Sequence, residues 1–330
     1  MAVGVADWDR AGGLGVAFEG SETAAEIGPL AELVEARGGD TIWLANHLFQ
    51  RDPVVQSAAA LAATRRISAA LMAISPYATH PVQAAMAAAS LDEHFPGRIV
   101  LSLGAGAPGD FDAAGIARPQ PLKTLAESLA IIRALLAGET VHHEGDVYRV
   151  QDRALETGAR TVPLVLAASG PGMLRLAGEL ADGVLLSAAT SLGFVEACLA
   201  RVAAGANGRR VRKIGLVYCA VDTDRARAYD RLRPRLAFVL RGPHHKANLE
   251  MSGVRLDQAA LWDAVAAGDW DRASGLIGDE VVAKHTASGT ALEVAERLAA
   301  YRAAGLDEVV IAGLRDGDQL AQVLAAAADP

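Results

Sequence analysis

Cysteine is nearly absent: Cys198 and Cys219 are the two in 330 residues, and they fall in different predicted elements. That scarcity excludes a disulfide framework and a thiolate metal site, and it fits a reducing cytoplasm. Long uncharged apolar runs are also missing, so no segment is expected to span a bilayer. The opening residues, MAVGVADWDRAGG, lack a basic region followed by an apolar core, so no secretory leader is expected. Positive charge is in deficit, with 31 Lys and Arg against 39 Asp and Glu. The resulting formal net charge of -8 argues against nucleic acid or an anionic membrane surface as a partner. No GxGxxG opens a helix after the first predicted strand, and no GxSxG elbow supports a nucleophilic triad.

What remains is the composition of an ordinary soluble globular chain, 52% hydrophobic and 21% charged. The stretch from Arg66 to Gly106 shows its organisation most clearly. An apolar run, Ile67–Ala73, breaks at Ser75-Pro76; an alanine-rich helix, roughly His80–His94, ends at Pro96-Gly97; a second run, Ile99–Leu103, leads into Gly104-Ala105-Gly106. Continuous apolar strands joined by crossover helices are what a buried parallel sheet requires.

The same alternation runs along the chain. Further strands are expected at Leu14–Phe18, Thr41–Ala45, Pro163–Ala167, Gly183–Leu186, Ile214–Ala220 and Glu308–Ile311. Helices are expected to Ala36 and at Asp52–Thr64, Pro121–Ala137, Pro171–Leu180, Leu192–Ala204, Asp224–Leu240 and Asp318–Ala327. The start of the first helix stays open between a Thr23–Glu26 capping box and Pro29 in a first turn. Leu122, Leu125, Leu129, Ile132 and Leu136 mark one face of Pro121–Ala137. Val141–Val150 reads as a small hairpin turning at Glu144-Gly145, an insertion and not a barrel strand. Eight strand–helix pairs predict an α/β fold, a single (β/α)8 TIM barrel, since an open sheet of eight would leave two edges to protect. Residues 1–330 are read as one domain. Residues 241–288 interrupt the alternation between strands seven and eight, and as an insertion they would cover the carboxyl-end face.

Ligands of such barrels gather beyond the carboxyl ends of the strands. There the first strand delivers Glu19, either an acid or base at the mouth or a solvated loop carboxylate. The second ends in Asn46-His47, and the histidine is either a proton donor and acceptor near neutral pH or a satisfied structural ring. The fifth ends in Ala168-Ser169-Gly170, where backbone N–H groups before a helix starting at Pro171 suit a phosphate. His142-His143 and His244-His245 lack a third ligand at metal spacing and read as surface or lid residues, so no metal site is expected.

Several segments in fixed order resemble the luciferase-like barrel superfamily, in its branch using the deazaflavin coenzyme F420, which includes methylenetetrahydromethanopterin reductase. They are WLANHLFQRDP at 43–53, ISPYATHP at 74–81, SLDEHFPGR at 90–98 with LGAG behind it, AASGPGMLRLAGELADGV at 167–184 and GTALEVAERLAAYRAAGLDEVVI at 289–311. The resemblance implies a bulge with a non-prolyl cis peptide at Met72–Ala73 against one face of the deazaflavin ring, with Ser75 at the ring edge. It implies Gly104, Ala105 and Gly106 on the pocket floor, Ala168, Ser169 and Gly170 as the backbone cradle for the cofactor phosphate, and His47 beside the carbon that exchanges hydride.

Departures narrow the chemistry. The family's second strand usually ends Asp-His; Asn46 can still hydrogen-bond the ring but removes a charge from beside His47. Ala107 stands where sugar-phosphate dehydrogenases of the branch carry a glutamate, with Asp110 further on, which argues against sugar-phosphate oxidation. Ala17 stands where the methylenetetrahydromethanopterin reductase has a first-strand glutamate; Glu19, one alternation on and on the same face, is available in its place. The resemblance thus implies a reductase moving hydride from reduced F420 to a C=C or C=N carbon of a small molecule, with His47 or Glu19 handling the proton. The alternatives are an FMN-dependent two-component monooxygenase and a non-catalytic flavin- or deazaflavin-binding protein. A homodimer is expected on the same resemblance, and the scarcity of cysteine makes the expected compartment the cytoplasm.

Overall fold

Eight parallel strands occupy the centre of the computed structural model, which describes Trp8, residues 10–314 and residues 316–328. The opening residues read above for a leader lie, for 1–7 and 9, outside the described residues. The strands are β1 (Gly13–Phe18), β2 (Thr41–Ala45), β3 (Ser68–Ile74), β4 (Ile99–Leu103), β5 (Leu164–Ala167), β6 (Gly183–Leu186), β7 (Arg212–Val221) and β8 (Glu308–Ala312). Each pairs in parallel with its successor, and β8 returns to β1 through Gly13↔Glu308, so the sheet closes and leaves no edge.

The period-two alternation divides each strand between two packing layers. Ala17, Trp43, Ala70, Val100, Val165, Leu185, Ile214 and Val310 fill the barrel interior. Their neighbours Val16, Phe18, Ile42, Leu44, Leu71 and Leu101 face outward under the helices. The barrel interior is a packed core.

Local chemistry starts the helices where the sequence placed them. Asp52 caps Pro53–Ala63, its carboxylate accepting from the N–H groups of Val54 at 2.8 Å and Val55 at 3.1 Å. The first helix, Ile27–Ala36, takes the later of its two starts, with Pro29 in the first turn. Glu26 is the cap residue without a side-chain cap bond, and its carboxylate accepts from the Thr23 N–H at 2.7 Å ahead of the helix, so no capping box starts it. Leu122 is exposed, so the buried stripe of Pro121–Leu136 begins at Leu125.

Three elements differ from expectation. A short helix, Pro108–Ala113, fills what reads as loop after β4. A three-residue strand, Ala287–Gly289, extends the sheet beside the end of β7, Ala287 facing Cys219. The hairpin, Val141–Glu144 with Arg149–Arg153, stands outside the barrel as expected but runs past Val150. Within 241–288, helices Lys246–Ser252, Gln258–Ala266, Trp270–Gly275 and Asp279–His285 build a second small core around Leu236, Leu240, Leu261 and Val282. Asn248 ties that core to the loop after β6, accepting from the Ser191 N–H at 2.9 Å and donating to the Ala189 carbonyl at 2.7 Å.

Candidate active site

The carboxyl ends of β2 to β7 surround a cavity of about 370 Å³. Asn46, His47, Met72, Ala73, Gly104, Ala105, Gly106, Ala168 and Ser169 line it, joined by Ala45, Ala107, Ala167, Leu185, Ser187 and Leu216. Nine of the expected site residues therefore meet in one place. Two larger hollows lie elsewhere: about 1050 Å³ between the helices Ala291–Ala303 and Gly317–Ala328, and about 490 Å³ at the amino end of the barrel. Size does not select the site; position beyond the strand ends does.

The floor is made of small residues. The register between β3 and β4 slips from Leu71 to Ile74, and the Met72–Ala73 peptide within that bulge is cis. The Asn46 N–H donates to the Met72 carbonyl at 2.5 Å, tying the end of β2 to the bulge. A Cβ on Gly104 would stand 3.1 Å from that of Ala73 and 3.4 Å from that of Ala167. Gly106 has φ +83°, and a Cβ there would fall 2.2 Å from the ring of Phe111. Only glycine allows both that left-handed turn and the ring's approach.

Polar groups ring this floor unevenly. His47 is about half exposed, and its Nδ1 lies 3.3 Å from Asp110 Oδ2, on the short helix after β4. A carboxylate thus stands beside His47, supplied by a residue distant in sequence. Ser75 is buried beyond the lining; its carbonyl accepts from the Ala78 and Thr79 N–H groups, while Oγ has no partner among the described residues. The Ala168 N–H donates to the Leu185 carbonyl at 3.0 Å, so this residue of the expected cradle is committed to the barrel ladder. Gly170 lies outside the lining and caps Pro171–Leu180 without a side-chain hydrogen bond. The first-turn N–H groups of that helix have no intrahelical partner.

Glu19, after β1 and so beside the strand that delivers His47, stands outside the cavity lining in an ion pair with Arg235. The Arg235 guanidinium sits 5.2 Å from the ring of Tyr218 on β7. Burial pushes the Tyr218 phenol up, Arg235 pulls it down and Glu19 adds to the rise. Tyr218, Arg235 and Asp110 were not foreseen. The inward alternation of β7 through Leu216 was a usable signal for Tyr218; nothing local marked the other two.

The histidine pairs go elsewhere. His142 meets Asp152 and His143 meets Glu127 in the hairpin. His245 is buried within the insertion, not at its surface, and burial, then His244 and His285, lower its pKa to about 3. Among the described residues no three His, Cys, Asp or Glu side chains converge as a metal set.

Comparisons with known proteins agree with this fold. The luciferase-like monooxygenase family matches residues 1–308. The 5,10-methylenetetrahydromethanopterin reductase of Methanolobus tindarius is 32% identical over 305 residues, covering 90% of this chain and 92% of that one. The F420-dependent glucose-6-phosphate dehydrogenase of Nakamurella multipartita is 32% identical over 245 residues, 68% of this chain and 72% of the other. The structure of the F420-dependent tetrahydromethanopterin reductase of Methanopyrus kandleri superposes with a TM-score of 0.85 over 95% of this chain and 97% of its own, at 22% identity. By its sequence along nearly its whole length, the chain belongs to the luciferase-like monooxygenase family.

Proposed function

We propose that this protein is an F420-dependent oxidoreductase that works as a reductase on a C=C or C=N group of a small organic molecule. The observation that carries the reading is the floor of Met72, Ala73, Gly104 and Ala167, a small-residue shelf at the strand ends that suits one face of a flat tricyclic ring. Two features fit such a group. The buried Ser75 hydroxyl has no partner among the described residues. The uncapped start of Pro171–Leu180, with the Ser169 and Gly170 N–H groups before it, can hold a phosphate through backbone donors alone. Ala168 contributes packing to that cradle, not a donor.

When bound, the deazaflavin supplies the hydride. The chain's own residues do the rest: the shelf fixes the ring's depth, and His47 moves the accompanying proton at the rim. Glu19, held by Arg235 at the end of the neighbouring strand, orients substrate. The insertion over 241–288, moored to the loop after β6, closes the substrate side.

The relatives named above include both a reductase and a sugar-phosphate dehydrogenase, and the lining favours the first. Among the described residues it contains no Lys or Arg, and Arg235 is already neutralised by Glu19, so a phosphorylated substrate finds no free cation there. Fluorescence titration with F420 and with FMN tests the cofactor: tight FMN binding without F420 binding overturns the reading in favour of the monooxygenase. Turnover of reduced F420 with a panel of unsaturated and imine substrates tests the reaction. We retain a homodimer on the resemblance, checked by light scattering, and a cytoplasmic setting on the scarcity of cysteine.

A further inference from the structure

Asp110 sits on a six-residue helix that its neighbour Phe111 anchors. Phe111 next to it is 2% exposed, fills the space that glycine leaves at position 106, and carries the Arg118 guanidinium 5.7 Å from its ring. Yet the Asp110 carboxylate takes no part in holding the helix. Ala107 caps it without a side-chain bond, and the Asp110 carboxylate's hydrogen-bond partner among the described residues is His47 Nδ1, 63 positions away, at 3.3 Å. No hydrogen bond among the described residues engages His47 Nε2.

A neutral imidazole has one N–H and one bare nitrogen, and the bond made by one nitrogen decides which is which. A carboxylate can only accept, so the nitrogen facing it carries the proton. We infer that Asp110 is a positioning residue for His47: it fixes the tautomer with Nδ1–H on its own carboxylate, and it leaves Nε2 as the nitrogen that exchanges a proton with substrate. This rests on the proposed role of His47. In the reductive direction the doubly protonated ring gives its Nε2 proton to the atom neighbouring the carbon that takes the hydride. The double bond becomes a single bond, and the imidazole remains neutral with Nδ1–H still on Asp110. In the reverse direction the bare Nε2 is the base. Without Asp110 the ring would favour the Nε2–H form that an unconstrained imidazole prefers, with the wrong nitrogen facing substrate for accepting a proton.

Nitrogen-15 spectra of ring-labelled protein at about pH 8, above the ordinary histidine range, read the tautomer directly. The chain holds 8 His, and subtraction of the His47→Gln spectrum assigns the ring. The wild type should show Nδ1 protonated and Nε2 bare. Asp110→Ala should shift the tautomer ratio toward Nε2–H by about fivefold to tenfold, the scale of one charge-assisted hydrogen bond on a half-exposed pair, and Asp110→Glu should restore it in part. Should Asp110→Ala fail to fold, the wild-type tautomer and Asp110→Leu, of similar size but with no acceptor, decide. A wild-type ring protonated on Nε2, or a ratio unmoved in folded Asp110→Ala or Asp110→Leu, overturns the inference. No cofactor is present in this measurement. A protein that ignores F420 leaves the result standing, and an unmoved ratio leaves the F420 reading standing.

Discussion

At the amino end of the barrel the Glu308 carboxylate is 1% exposed, and it accepts from Trp43 Nε1 at 2.9 Å, Thr41 Oγ1 at 2.5 Å and the Arg212 guanidinium at 3.0 and 3.1 Å. At the carboxyl end Ser75 is nearly as buried, and its hydroxyl has no partner among the described residues. His47 and Asp110 meet there half in solvent. The buried carboxylate at one end is fully committed to the fold, and the other end holds polar groups in reserve. A buried charge must be fully matched or it unfolds the protein, whereas a ligand site works because something is left to match. Conserving hydrogen-bond capacity at the mouth is possible because the amino end closes the barrel.

The sharpest way to break this contrast is Glu308→Gln. Arg212 would then lie buried without its counter-charge, at a cost of about 3 to 5 kcal/mol. Urea unfolding measures it, and F420 affinity of the protein that remains folded should stay within about twofold of wild type, a change of about 0.4 kcal/mol. A loss under about 1 kcal/mol would place this pair with ordinary surface pairs and remove the distinction between the two ends.

Acid should separate the two ends next. His245, in the insertion moored beside the mouth, is held near pKa 3 against an ordinary 6.5 by burial and by His244 and His285. Between those values the unfolded segment takes up a proton that the folded one refuses. The stability is complete above about pH 6.5 and is lost as pH falls toward 3, by about 2 kcal/mol at pH 5. Trp262 and Trp270 report on the insertion and Trp43 on the amino end. The first two should change fluorescence at higher pH than the third, and His245→Gln should bring the transitions together. A Trp43 transition that comes first would contradict the ordering.

A methyl group at the floor is a smaller perturbation. Gly104→Ala puts a Cβ against Ala73 and Ala167, which can yield a few tenths of an ångström, so folding should change little. The ring's shelf moves with it, and F420 affinity should fall about tenfold, equal to 1.4 kcal/mol, by fluorescence titration. Unchanged affinity would mean that the ring rests elsewhere.

How much of this was legible depends on whether the signal was local. Strands β2, β4 and β6 were bounded by glycine, proline and polar residues, and their limits follow from the apolar runs between them. The strand-end residues that line the cavity followed from the same pattern, because in a parallel barrel the end of a strand is the site. Pro108–Ala113 escaped because GAPGDFDAAG has the composition of a loop, and its helix depends on Phe111 finding a buried place. Asp110 escaped with it. Glu308 and Arg212, 96 positions apart, share no periodicity that could pair them. The Ala168 N–H was misassigned because a backbone donor's commitment depends on which strand lies beside it, here β6.

The smallest expected effect bears most directly on the comparison, because it repeats the first experiment at the other end. Glu19 and Arg235 form a carboxylate–guanidinium pair like Glu308 and Arg212, but each is about a quarter exposed. Water takes over part of what the partner supplied, so Arg235→Met should cost about 1 kcal/mol. The electrostatic consequence should outlast the small energetic one. Arg235 now lowers the Tyr218 phenol against burial, while Glu19 raises it. With the guanidinium gone both remaining influences act upward, and the phenol should titrate at higher pH, read by tyrosine absorbance against Tyr218→Phe. A loss as large as that of Glu308→Gln would show that burial does not set the difference between the ends. A phenol that does not move would mean that Glu19, Arg235 and Tyr218 are neighbours without coupling, and the mouth would lose its second polar wall.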